Sequence, residues 1–208
     1  MSKISLTDTF KSYDPARDKF LSRLMGIFSE HIVRIWAKSP HATYENLGRP
    51  TITTPTAGEP YTLDFTFRSR HDHRIYVSEM KCELEYEDYK YLVLNSPDQL
   101  EHHQSDTFDA FLATTREPGK SRVTVEGDPI AVHGAILVWG HVTQSGRQAV
   151  AKHYGFADVL SVQDMANDLV RWGDASYQVF LHERARWCEE LFMGLGLKRQ
   201  VSDARSGA

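Results

Sequence analysis

The 208-residue sequence predicts an α/β fold in which a central mixed β-sheet is flanked by helices. Three observations predict it: an amphipathic helix over residues 15–38, two strand-like runs joined by a polar turn over residues 61–84, and a strand, helix, strand, helix succession from Ala131 to Trp172. The length suits one well-buried core. The expected division is an N-terminal arm at 1–14, a single domain at 15–197 and a disordered tail at 198–208.

In chain order, Asp14-Pro15 reads as an N-cap with proline in the first helical turn. Phe20, Leu21, Leu24, Ile27, Phe28, Ile32, Ile35 and Trp36 then recur at helical spacing. Residues 42–54 read as an irregular strand interrupted at Gly48-Arg49-Pro50, and Thr54 to Pro60 as a loop. Residues 61–67 alternate, with Tyr61, Leu63, Phe65 and Phe67 on one face and Thr62, Asp64 and Thr66 on the other. Residues 75–84 form a central strand with Ile75, Val77, Glu79 and Lys81 on one face. Ser96-Pro97-Asp98-Gln99 reads as a capping box opening a helix that carries Leu100, Phe108, Phe111 and Leu112. Ala131 to Val142 is the most apolar run and a core strand. Ser145–Tyr154, Ala157–Leu160, Ser161–Trp172 and Ser176–Leu195 complete the chain as helix, strand, helix, helix.

Pairing the two runs as a hairpin centred between His71 and Asp72 sets Leu63 opposite Met80, Phe65 opposite Ser78 and Phe67 opposite Tyr76. Asp64 then faces Glu79. Directly opposed side chains lie about 5 Å apart, and like charges there destabilise a sheet. Lys81, two residues along on the same face, offsets part of that repulsion, and a divalent cation between the carboxylates offsets it better. Two hard oxygen ligands beside a lysine make a Mg²⁺ site that holds a phosphate and orients a water. A salt-laced hairpin rim is the competing reading of the same three residues.

At these positions the sequence resembles the PD-(D/E)XK nuclease superfamily, the fold of many restriction endonucleases and of the Mrr-like enzymes. Asp64 matches the family's first acid, and Glu79-Met80-Lys81 its E-x-K. The resemblance implies a restriction-endonuclease-like core. It also implies that Asp64, Glu79 and the Met80 main-chain carbonyl bind Mg²⁺, with Mn²⁺ as a substitute, and that Lys81 orients the attacking water. Leu63 stands where the family often has proline. Glu30, on the helix before the sheet, is a candidate outer metal ligand by the same resemblance, and Glu45 is a second candidate. Gln99 matches the Mrr-like glutamine, although its capping role already accounts for it. The implied activity is that of a Mg²⁺-dependent DNA endonuclease of restriction, defence or repair type. The alternative is a non-catalytic nuclease-fold module that binds DNA or a partner protein.

Other constellations are weaker. His71, His73, His102 and His103 form a candidate zinc set without any Cys-x-x-Cys. Ser78 faces away from the acids, so a serine nucleophile has no support. Residues 114–121, TTREPGKS, lack the first glycine of a P-loop and follow a helix. Glu83 and Glu85 extend the acidic face beyond Lys81. The net charge of −4 argues against a coat-type nucleic-acid binder. Basic residues are nevertheless grouped locally at Arg68, Arg70 and Arg74 and from Arg116 to Arg122. Cys82 and Cys188 read as free thiols of a reducing compartment. No signal-like or membrane-spanning apolar run is present, so a cytoplasmic location is expected. The broad apolar stripe of the last helix, ending in Leu191, Phe192 and Leu195, predicts a homodimer.

Overall fold

The computed structural model describes residues 5–10, 14–54, 59–82, 89 and 91–197. Inside the expected N-terminal arm it has a short helix, α1 (Leu6–Phe10), whose Leu6 and Phe10 are buried against Leu92. Helix α2 (Pro15–Lys38) starts as its sequence dictates, because the Asp14 carboxylate accepts the N–H groups of Ala16 and Arg17 at 3.1 Å.

Strands β1 (Tyr44–Asn46), β2 (Pro50–Thr53), β3 (Tyr61–Thr62), β4 (Phe65–Ser69), β5 (Ile75–Lys81) and β6 (Val93–Leu94) follow. After them come α3 (Asp106–Arg116), β7 (Arg122–Val125), β8 (Asp128–Ile130), β9 (Ala135–Trp139) and β10 (His141–Val142). The chain continues with α4 (Gln144–Tyr154), β11 (Asp158–Ser161), α5 (Val162–Trp172) and α6 (Ala175–Gly194).

The central sheet has the order β1-β4-β5-β9-β11. Strands β1, β4 and β5 are antiparallel, whereas β9 pairs parallel with both β5 and β11, so the sheet is mixed. Every residue of β9 is buried, which explains its unbroken apolar run. On one face Phe65, Phe67, Tyr76, Ile136 and Val138 pack against α2 and α5. On the other, Val77, Leu137 and Trp139 pack with Phe108 and Phe111 of α3 and Val150 of α4.

The second face also carries a four-stranded antiparallel sheet in the order β3-β2-β7-β8. Its presence corrects the reading of residues 61–67 as one strand. Tyr61 and Thr62 belong to this smaller sheet and Phe65 onward to the large one, with the change at Leu63-Asp64. Leu63 does not face Met80; its N–H donates to the Pro50 carbonyl at 3.0 Å, and its side chain is buried in the second core. The interruption at Gly48 has the same cause. Residues 47 and 48 still bond to Thr66 of β4, and Gly48 then turns the chain toward β2 with φ +121°. That angle disfavours any side chain, and a Cβ there would stand 3.0 Å from Val125.

The helix expected from Ser96 is two elements. A 3₁₀ turn at Pro97–Leu100 ends where Leu100 is buried, and α3 begins only at Asp106, capped by the Ser105 hydroxyl accepting from the Phe108 N–H. Gln99 explains the turn: its Oε1 accepts from the N–H of Asn95 and of Ser96, and its Nε2 donates to the Val93 carbonyl. Gln99 is therefore fully engaged in shaping this loop. Glu83, Glu85 and the expected tail at 198–208 lie outside the described residues. Among those described, no helix is long and apolar enough to cross a membrane, and neither Cys82 nor Cys188 is in a disulfide.

Candidate active site

Asp64 sits at the corner where the chain passes from the small sheet to the large one. Its backbone lies one step beyond the last antiparallel pair, Phe65 with Ser78, and the next residue along β5 is Glu79. The backbone has left the ladder here, so the side chain takes its place: Asp64 Oδ2 accepts the Met80 N–H at 2.9 Å. Glu79 and Lys81 alternate with Ser78 and Met80 on β5, and they share the face of Val77 that looks toward α3. Lys81 Nζ is 3.0 Å from Glu79 Oε1 and stands 5.7 Å from the centre of the Phe108 ring of α3. The parallel partners of Glu79 and Lys81 on β9 are Leu137 and Trp139, both fully buried, so two sides of the site are rigid core.

Glu79 is 7% exposed. Burial is the largest influence on its carboxyl and pushes its pKa up. The charge of Asp64 and a hydrogen bond to Asp64 push the same way, and only Lys81 opposes them. The two acids are thus mutually repulsive neighbours in a poorly solvated place, the condition a cation relieves. Arg49 supplies one cation already, with Nη2 3.7 Å from Asp64 Oδ1 and Nε donating to the Leu63 carbonyl at 3.4 Å.

A raised carboxyl pKa carries a definite stability signature. The folded state binds the Glu79 proton more readily than the unfolded state does, so stability is lost as pH rises through the ordinary glutamate pKa toward the raised folded value. Glu79→Gln removes this loss. The variant should melt above the parent at pH 7, and the gain should vanish once the pH falls below the ordinary glutamate range. Melting curves at the two pH values check this; a variant less stable than the parent at pH 7 contradicts it.

The remaining candidates have partners of their own, and of these Glu30 alone feels the charge of Arg49 beside Asp64. Glu30 is engaged by Arg34, which donates from Nε at 3.1 Å and Nη2 at 2.5 Å; that hydrogen bond is the main reason its acidity is strengthened, with a smaller contribution from the charge of Arg49. Glu45 pairs with Arg68 and Arg70 on the edge strand. The four histidines do not converge. His71 and His73 lie at the hairpin turn before Ile75, whereas the His102 and His103 rings lie tilted against each other with centres 3.9 Å apart and reach Tyr91, Phe108 and Trp139 near the Lys81 end. The length of β5 separates the two pairs by about 20 Å, which rules out a single zinc site made of all four. Ser78 is fully buried on the opposite face from Glu79. Arg49 is the site residue that sequence reasoning missed, and nothing local marks it, because it reaches Asp64 only through the turn at Gly48.

Among the described residues, no group of three or more His, Cys, Asp and Glu side chains gathers as a cage for a metal. Mg²⁺ does not require one, since it keeps several waters and takes one or two carboxylates from the protein. The donor set of Asp64 and Glu79 fits such an ion by its chemistry: hard oxygens, mutual repulsion and cationic side chains already drawn to both. No family model, curated protein or solved structure matches the chain.

Proposed function

We propose that the protein is a Mg²⁺-dependent DNA endonuclease with a restriction-endonuclease-like core. The observation that carries the reading is the convergence of Asp64, Glu79 and Lys81, with Glu79 held between the negative charge of Asp64 and the ammonium of Lys81. The order of the central sheet's strands and the helices packed on them supports it: α2, the antiparallel strands β1, β4 and β5, then α3, β9, α4 and β11.

When bound, Mg²⁺ supplies charge neutralisation at the phosphate and a nucleophile near neutral pH. Asp64 and Glu79 hold the ion, together with the main-chain carbonyl of Met80; Mn²⁺ substitutes for it. Lys81 orients the attacking water and stabilises charge on the phosphoryl oxygens. Its confinement beside Phe108 limits the geometries it samples. Hydrolysis adds one water across a P–O bond and yields a phosphomonoester and a hydroxyl.

Incubation of the pure protein with plasmid, linear and branched DNA tests the proposal. Cleavage that appears with Mg²⁺ and stops with chelator is the expected result; no cleavage of any of the three contradicts it. A non-catalytic nuclease-fold module is the second reading. Arg49 favours it, because it neutralises Asp64 from within the protein. That module would bind DNA or a partner protein with or without Mg²⁺ and cut nothing.

The homodimer belongs to the same proposal. Only Tyr177 and Phe180 of α6 are buried, the helix exposes Val179, Trp187 and Leu191, and Leu195 just past its end is exposed as well. Trp187, Leu191 and Leu195 continue the stripe that Phe180 starts against α2, so the apolar face runs on past the body it packs on. A second copy offers an identical stripe, and two-fold pairing brings two sites to one duplex. Light scattering at micromolar concentration should report a dimer, and Leu191→Glu a monomer. A monomeric parent contradicts the pairing.

A further inference from the structure

We propose that Arg49 holds the place of the metal ion in the metal-free protein, and that on metal binding it turns to the phosphodiester backbone of the nucleic acid. This inference rests on the nuclease reading and adds a residue outside the three that carry it.

The position of Arg49 is imposed by the backbone. Gly48 adopts φ +121°, and Pro50, which opens β2, accepts the Leu63 N–H at its carbonyl, so the intervening arginine is set beside Leu63-Asp64. From there the guanidinium reaches Asp64 at 3.7 Å while its side chain stays 53% exposed. An ion pair that long and that exposed is weak and is readily exchanged for another partner. Lys81 differs, being closer to its acid and only 20% exposed.

The formal charges show what the exchange accomplishes. Asp64 and Glu79 are balanced by Arg49 and Lys81, so the metal-free site is neutral. A divalent cation on the two acids releases Arg49 and makes the site positive by two charges. A neutral site has little pull on a polyanion, whereas the metal-loaded one attracts phosphate and has a mobile, forked donor at its rim. Metal binding and backbone binding are thereby coupled, each favouring the other. Glu30 lies within electrostatic reach of the same guanidinium, which gives the released arginine an acidic neighbour on the α2 side.

Two titrations test this. In the first, Mg²⁺ is titrated calorimetrically into the parent and into Arg49→Ala without DNA; the variant should bind the ion about two- to fivefold more tightly, the scale of an exposed ion pair removed as competitor. In the second, a short DNA duplex is titrated with Mg²⁺ present into Lys81→Ala and into the Lys81→Ala, Arg49→Ala double variant, so that the duplex survives. The double variant should bind roughly tenfold more weakly, and the slope of log affinity against log salt should fall by about one. Arg49→Gln should reproduce both shifts with more of the side-chain stem retained, which covers a folding defect of the alanine variant. Unchanged or weaker Mg²⁺ binding by the Arg49 variants overturns the place-holding role, and unchanged duplex affinity overturns the phosphate role. A parent that binds no Mg²⁺ overturns the nuclease reading itself and this inference with it, an outcome distinct from a parent that binds the ion while the Arg49 variants match it.

Discussion

Asp64→Asn is expected to abolish Mg²⁺-dependent cleavage, by roughly 10³-fold or more, the scale lost when a preorganised charge-stabilising group is removed. The fold should survive the change. Asparagine has the same size, its side-chain oxygen still accepts the Met80 N–H, and the ion pair given up with Arg49 is a long, half-exposed one. The variant also frees Glu79 of the charge that, after burial, most raises its pKa, so Glu79 should titrate closer to an ordinary glutamate. Plasmid nicking and thermal melting check the two halves of the expectation separately. Undiminished cleavage by Asp64→Asn would mean that the active site lies on other residues.

Lys81→Ala is expected to cost about 10²–10⁴ in turnover, the range of a positioned group acting on the nucleophile, while metal and DNA binding stay largely intact. The ammonium is held by Glu79 and the Phe108 ring and contributes no hard oxygen, so its removal leaves the donor set complete. It also leaves Glu79 without the one influence that lowers its pKa. Mg²⁺ binding by the variant should therefore weaken at a higher pH than in the parent as pH is lowered, because the proton competes better with the ion. Single-turnover cleavage and calorimetry at two pH values separate these effects. Equal loss of binding and turnover would assign Lys81 to holding the substrate and not to the chemical step.

Much of the fold was legible because it rests on local signals. The Asp14-Pro15 cap, the stripe from Phe20 to Trp36, the apolar run of β9 and the caps of α4 and α5 each act within a few residues. The alternation of β5 and the register of Phe65 against Ser78 brought Asp64 beside Glu79 by the same local logic. What was not legible depends on which sheet a strand joins. Residues 61–67 alternate without a break, yet Leu63 leaves for the core between the two sheets, and only the distant partner Pro50 decides that. The β7–β8 hairpin went unread although Val123 and Val125 alternate and Glu126-Gly127 forms its turn with φ values of 53° and 92°; that dipeptide was a usable signal. Ser105 was a second cap hidden behind the stronger one at Ser96. Arg49 could not be found from spacing at all, since it meets Asp64 through a change of sheet.

The most direct measurement is a calorimetric titration of Mg²⁺ into the parent protein and into Asp64→Asn at neutral pH. Saturable binding by the parent that is lost in Asp64→Asn is the predicted result. A parent that takes up no ion, or an Asp64→Asn protein that binds it equally well, would contradict the assignment of Asp64 and Glu79 as a metal-holding pair.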